Sequence, residues 1–177
     1  MNKKIINRLL CVACFGIALL ETSCSSQKYV ANNSSNDINS IVINNNTSLK
    51  GNSKKLYKEV DAWLGTPYKY GGQSKNGTDC SGLVVELYKA VYNKKLYRSS
   101  YEIYEKNCNP IKKKELREGD LVFFITNKNG KRINHVGLYL KDNKFIHSTT
   151  KRGVIITDLS ENYYVKHFVV AGRVKVN

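Results

Sequence analysis

The chain has 177 residues, 29 Lys and Arg against 14 Asp and Glu, a formal net charge of +15 and five cysteines. That length fits one domain. The positive excess shows no basic stripe interleaved with aromatics on one helix, which argues against nucleic acid as a partner.

Lys3, Lys4 and Arg8 form a positive n-region before an apolar run from Leu9 to Leu20. Twelve residues are too few to span a bilayer, which needs about 20. Glu21-Thr22-Ser23-Cys24 then places small residues before a cysteine, the pattern of a bacterial lipoprotein cleavage site. Residues 1–23 are therefore read as a signal peptide, with Cys24 as the lipidated N-terminus of an exported, membrane-anchored protein facing the periplasm. Cleavage there removes Cys11 and Cys14 and leaves Cys24, Cys80 and Cys108. A Cys80–Cys108 disulfide would silence Cys80, so Cys108 is read as an unpaired structural cysteine.

Residues 24–53 are rich in Asn and Ser and bury too little apolar area to offset chain entropy. They read as a flexible tether with an r.m.s. span of roughly 30 Å. The domain then occupies residues 54–177. Leu56, Val60 and Trp63/Leu64 have helical spacing behind Ser53, a candidate N-cap, and Gly65-Thr66-Pro67 ends that helix. A turn-rich stretch, Tyr68-Lys69-Tyr70-Gly71-Gly72, leads to Thr78-Asp79-Cys80-Ser81-Gly82. Beyond it Leu83, Val84, Leu87 and Val91 mark the buried face of a second helix. A thiol in the first turn of a helix meets the positive end of the macrodipole, which favours thiolate. A small buried cysteine is the competing reading.

Asn93-Lys94-Lys95 reads as a turn, and Ser99 to Glu102 as a capping box opening a short helix to about Asn107. Arg98, just ahead of it, reads from sequence as a surface charge. Leu121 to Ile125 is a continuous apolar run of the kind buried on both sides, and Asn127 to Gly130 signals a hairpin turn. His135–Leu140 and Lys144–Thr149 flank Lys141-Asp142-Asn143, a three-residue loop with Asn143 left-handed. That register pairs Leu140 with Lys144, Gly137 with His147 and His135 with Thr149. His135 and His147 thereby share one face, with Gly137 leaving room for the His147 ring, while Val136, Leu138, Leu140 and Ile146 face a core. Val154–Thr157 and Phe168–Val176 complete the strands. Helices first and strands after predict an α+β domain with an antiparallel sheet.

Cys80, His135 and His147 make a nucleophile, a base and a group that orients the base. Free N–H groups at the helix start, Cys80's own among them, and the Tyr68 phenol are candidate oxyanion donors. Asp79 and Ser81 are placed to bind a polar or cationic part of a substrate, although Asp79 also reads as a plain N-cap. A Cys-His-His metal site is the alternative for the same three residues, but no Cys-x-x-Cys or His-x-x-x-His pair accompanies them; no metal or cofactor is expected. His167 reads as structural.

Tyr68–Gly72, Asp79-Cys80-Ser81-Gly82, His135–Leu140 and Phe145-Ile146-His147-Ser148 together resemble the NlpC-type cell-wall cysteine peptidases over residues 54–177. The resemblance implies a papain-like core, with the nucleophile helix packed on an antiparallel sheet of about five or six strands. It also implies Cys80 as nucleophile, His135 as base, His147 as the third polar residue, and Tyr68, Asp79 and Ser81 around the substrate. Arg98-Ser99-Ser100 resembles the family's Arg-Ser/Thr-Ser/Thr stretch and moves Arg98 to the cleft; Tyr97 and Ile103 depart from the family's usual Pro and Gln. The implied substrate is peptidoglycan stem peptide, cut at a γ-D-glutamyl–diamino acid bond or at D,D cross-links, by a protein expected to be monomeric. A catalytically inactive basic wall- or membrane-binding module, and an acyltransferase or amidase on the same scaffold, are the alternatives.

Overall fold

The computed structural model describes residues 50–175, so the leader, Cys24 and nearly all of the tether lie outside the described residues. Helix α1 (Lys50–Trp63) buries Leu56, Tyr57, Val60 and Trp63, the face its spacing predicts. It starts before Ser53, which is therefore inside the helix and not its N-cap, and the last four tether residues are helical. No Pro interrupts them, and propagation adds a hydrogen bond per residue once the apolar face is docked. Gly65, at φ +77, turns the chain; its N–H and the Thr66 carbonyl bond Val154 at 3.0 and 2.9 Å.

A two-stranded hairpin, β1 (Gln73–Ser74) and β2 (Gly77–Thr78), delivers the chain to α2 (Cys80–Tyr92). Leu83, Val84, Leu87 and Val91 are buried as predicted, and Asn93, left-handed at φ 51, ends the helix with its N–H on the Tyr88 carbonyl. Ser99 caps α3 (Ser100–Glu102), which widens into a π turn over Ile103–Asn107, the extent expected for that helix. The reciprocal contact is a Ser99 hydroxyl donated to the Glu102 carboxylate at 2.7 Å.

Six strands form one antiparallel sheet in the order β3-β8-β4-β5-β6-β7, with β3 Cys108–Ile111, β4 Leu121–Phe124, β5 His135–Tyr139, β6 Lys144–Thr149, β7 Gly153–Asp158 and β8 Phe168–Val174. Strand β3 and the short helix α4 (Asn162–His167) are additions to the elements read from sequence. Helices α1 and α2 cover one face, where Leu121, Phe123, Val136, Leu138 and Ile146 meet Leu83 and Leu87. On the other face Val122, Phe124 and Phe145 lie under Leu159 and Tyr164. Strand β4 is thus buried on both sides, which accounts for its unbroken apolar run inside an antiparallel sheet.

The β5–β6 turn keeps the predicted three-residue loop, with Leu140 N–H on Lys144 O at 2.8 Å and Asn143 left-handed, and adds a second left-handed residue. Asp142 and Asn143 are both left-handed, at φ 51 and 61, and Lys144 N–H closes the turn on Lys141 O at 2.9 Å. This is the two-residue turn whose twist suits a hairpin, with one extra residue before it. The predicted register survives, as Leu138↔Ile146 and Tyr139↔Phe145, but it does not run on to His135 and Thr149. Beyond Leu138 the strands diverge, and the segment before α2 is tied to β6 there: Ser148 Oγ donates to Thr78 O at 2.8 Å. Asn127–Gly130 does form a turn, inside the long loop over 125–134 that joins the antiparallel pair β4 and β5, closed at Phe124↔His135.

Candidate active site

The site is built outward from Asp79. Its side chain caps α2 by accepting Gly82 N–H at 2.7 Å, and it accepts Ser81 Oγ at 3.1 Å and Gly71 N–H at 2.8 Å. Arg98 closes on both carboxylate oxygens at 2.9 and 2.8 Å, and also donates to Ser81 Oγ and Gly72 O. Burial works against the Asp79 charge, but Arg98 and the N–H groups of Gly82 and Gly71 outweigh it and hold the carboxyl below its ordinary range. Arg98 is accordingly an ion-pair partner at the start of α2 and not a free surface charge. Gly82 lets α2 approach this loop: a Cβ there would lie 2.1 Å from the Gly72 carbonyl oxygen.

Cys80 follows as the first residue of α2, half-buried. The helix terminus does not make it a thiolate by itself. Burial pushes the thiol up to about 11, against the pull of Val136 N–H; Asp79 raises it, and the N–H groups of Ser81 and Cys80 oppose that. Burial likewise takes His135 down to about 4. Neither group ionises alone. Passing the proton from sulfur to imidazole creates both charges together with no net charge, and that is the transfer a buried Cys-His couple can make.

His135 Nε2 and His147 Nδ1 are 2.9 Å apart with the rings nearly perpendicular. With Nε2 engaged, Nδ1 is the His135 nitrogen left for the sulfur. His147 is fully buried, and burial, then His135 and Arg152, keeps it neutral. Its Nε2 meets Thr157 Oγ1 at 2.9 Å, with Tyr164 Oη farther off at 3.4 Å. The Phe145 ring stacks on it at 4.5 Å between centroids. The space opposite Gly137, expected to house the His147 ring, holds Phe145: a Gly137 Cβ would sit 2.5 Å from it. Both His147 nitrogens are therefore engaged, which disfavours the metal-ligand alternative, and among the described residues no group of three His, Cys, Asp or Glu is placed to hold a metal ion.

Tyr68 is half-buried beside the thiol; burial, then the charges of Cys80 and Asp79, raise its phenol. His167 bonds Tyr163 O at 2.7 Å at the end of α4, away from this cluster. Cys108 is a free, buried cysteine in the core, as expected. Of the two departures, Ile103 is fully buried in the core and Tyr97 is half exposed next to Arg98.

Thr157 and Tyr164 were not among the residues read from sequence. A signal for Thr157 existed. Gly153, left-handed at φ 67, fixes the β6–β7 turn, and the resulting Phe145↔Thr157 pair puts Thr157 diagonal to His147 on one face.

The model for the NlpC/P60 family matches residues 65–173. Among curated proteins, the chain is 30% identical over 191 residues to a probable endopeptidase NlpC homolog of Haemophilus influenzae, covering 96% of this chain and 99% of that one. It is 37% identical over 120 residues to an Escherichia coli protein named murein DD-endopeptidase MepS/murein LD-carboxypeptidase, covering 68% of this chain and 62% of that one. Among solved structures, a protein of Staphylococcus aureus described as similar to lipoprotein, NLP/P60 family, superposes with a TM-score of 0.64 at 31% identity, over 75% of this chain and 44% of that one.

Proposed function

The chain belongs to the NlpC/P60 family, and from that membership we propose that it is a peptidoglycan endopeptidase that uses Cys80 as nucleophile. The observation that carries the reading is the aligned His135–His147 couple, 2.9 Å apart, together with Cys80 at the start of α2, whose thiol the N–H of Val136, the residue after His135, pulls toward the thiolate. His135 Nδ1 takes the thiol proton as sulfur attacks the carbonyl carbon of a stem-peptide amide. The developing oxyanion meets the N–H groups of Cys80 and Ser81, which open α2 without helical acceptors, and the Tyr68 hydroxyl. Collapse breaks the C–N bond, and the leaving amine takes the proton from His135. A water, deprotonated by His135, then cleaves the thioester, releasing a carboxylate and restoring the thiol. Asp79, Ser81 and Arg98 hold the wall of the cleft in shape through their mutual bonds, with the outer side of Arg98 left to face substrate.

The E. coli relative is named a murein DD-endopeptidase, which favours cross-links as the bond cut. Incubated with defined cross-linked muropeptide dimers, the protein is expected to yield two monomers by mass spectrometry. Shortened stems would move the cut to the γ-D-glutamyl bond, and unchanged dimers and monomers would overturn the hydrolase reading. An inactive binding module is disfavoured by the complete Cys80-His135-His147 set.

The same reading places the enzyme at the cell envelope, on a lipid anchor at Cys24, acting as a monomer. Thr22-Ser23-Cys24 after an apolar run supports the anchor. Cells fed radioactive palmitate are expected to label the protein, and Cys24→Ala to lose the label; labelling that survives the substitution would remove Cys24 as the site.

A further inference from the structure

We propose that Thr157 is a positioning residue that sets the order of protons through both histidines, and that Tyr164 is the group it competes with. The proposal rests on the endopeptidase reading for its purpose, though not for its test. The three groups lie together on the sheet face under α4. Thr157 is 3% exposed and Tyr164 6%, and the His147 nitrogen between them is sealed from solvent. Thr157 Oγ1 stands 2.9 Å from His147 Nε2, and the Tyr164 phenol reaches the same nitrogen at 3.4 Å.

Counting protons fixes what the array must do. For His135 to accept from sulfur, Nδ1 has to be bare, so its proton sits on Nε2 and is donated to His147 Nδ1. Neutral His147 then carries its own proton on Nε2, and that proton needs an acceptor. Thr157 Oγ1 is the well-placed one, and its own hydroxyl hydrogen is free to turn toward the Tyr164 oxygen. If a donor faces Nε2 instead, every link reverses. His147 gives its proton from Nδ1 to His135 Nε2, and His135 presents Nδ1–H to the sulfur, where it cannot act as a base. Tyr164, at 3.4 Å, is such a donor once Thr157 no longer intervenes. The polarity of a bond two residues removed from sulfur therefore decides whether the base is available.

The charged and titratable neighbours do not substitute for this device. His135 and Arg152 face His147 and only oppose a positive charge on it, and Glu161 and Tyr163 act on Tyr164 from α4 and its start. A purely structural Thr157 would satisfy a buried nitrogen and leave the proton order alone.

The test uses the full chain labelled with 15N-histidine, whose ring shifts report the tautomer directly, together with the pH-dependent rate of Cys80 alkylation by iodoacetamide. In the wild type, His135 and His147 are both expected to be Nε2-protonated; an Nδ1-protonated His147 overturns the proposal without any variant. Thr157→Val is expected to move both rings toward the Nδ1-protonated form. It should slow alkylation near neutral pH and lower kcat by about tenfold or more at similar KM, the scale of one lost buried bond. Thr157→Ser should recover most of that rate, and Thr157→Val with Tyr164→Phe should return the rings toward the wild-type form. Wild-type tautomers and alkylation in a folded Thr157→Val protein would show Thr157 to be structural only. Loss of muropeptide cleavage in the wild type would sink the function reading while these two readouts still stood.

Discussion

Cys80→Ala is expected to cut muropeptide turnover by at least about 10³-fold, to the level that binding and oxyanion donors supply without a nucleophile. No other group takes over. Cys108 is buried in the core, and burial pushes its thiol up to about 12. Ser81, next in sequence, has its hydroxyl held between Asp79 and Arg98. The fold should survive, because the side chain is small and half-buried and the cap of α2 belongs to Asp79. Rates on a cross-linked dimer, alongside thermal unfolding of both proteins, check this. Turnover within tenfold of wild type in a folded variant would remove Cys80 from the chemistry and the peptidase mechanism with it.

Asp79→Ala is the second large effect, and it falls on stability first. The substitution removes the α2 cap, worth about 1 kcal/mol, and strands the Arg98 guanidinium, whose side chain is 37% exposed against 10% for Asp79. Breaking a buried pair by removing one partner costs about 3–5 kcal/mol; with Arg98 partly wet, a total near the low end of that range, about 3 kcal/mol, is expected in urea titrations. The effect has a pH signature. Because the folded protein holds the Asp79 carboxyl below its ordinary value, the contribution is fully present above the unfolded carboxylate pKa of about 3.9 and disappears as pH falls through the folded value. The gap between wild type and variant should stay constant from neutral pH to about 4 and narrow below it. A gap that widened on acidification would contradict the assignment.

The histidine couple was readable from the chain because a strand has a period of two and the turn at Asp142-Asn143 fixes one register. Parity alone put His135 and His147 on one face. Helical spacing, with its period of 3.6, likewise placed the apolar sides of α1 and α2. Strand β3 escaped because Pro110 argues against a central strand and only the outer edge of β8, known once folded, gives it a partner. Helix α4 is six residues of mixed polarity, too short for a period of 3.6 to register. The proton state of Cys80 was only half legible for a different reason. A helix terminus is visible in sequence, whereas the desolvation that outweighs it depends on what packs over the thiol. Arg98 illustrates the same limit, since its partner lies 19 positions away and is chosen by the turn at Gly71-Gly72, not by local pattern.

The parting of β5 from β6 has a consequence for when the protein becomes dangerous to its own cell. The segment leading to the nucleophile is tied to β6 by a bond between positions 70 apart in the chain, Ser148 Oγ to Thr78 O, so a partly synthesised or still unfolded polypeptide carries an ordinary thiol and no cutting power. Cutting power therefore belongs to the folded chain alone, because only folding brings position 80 against the strand that carries His135.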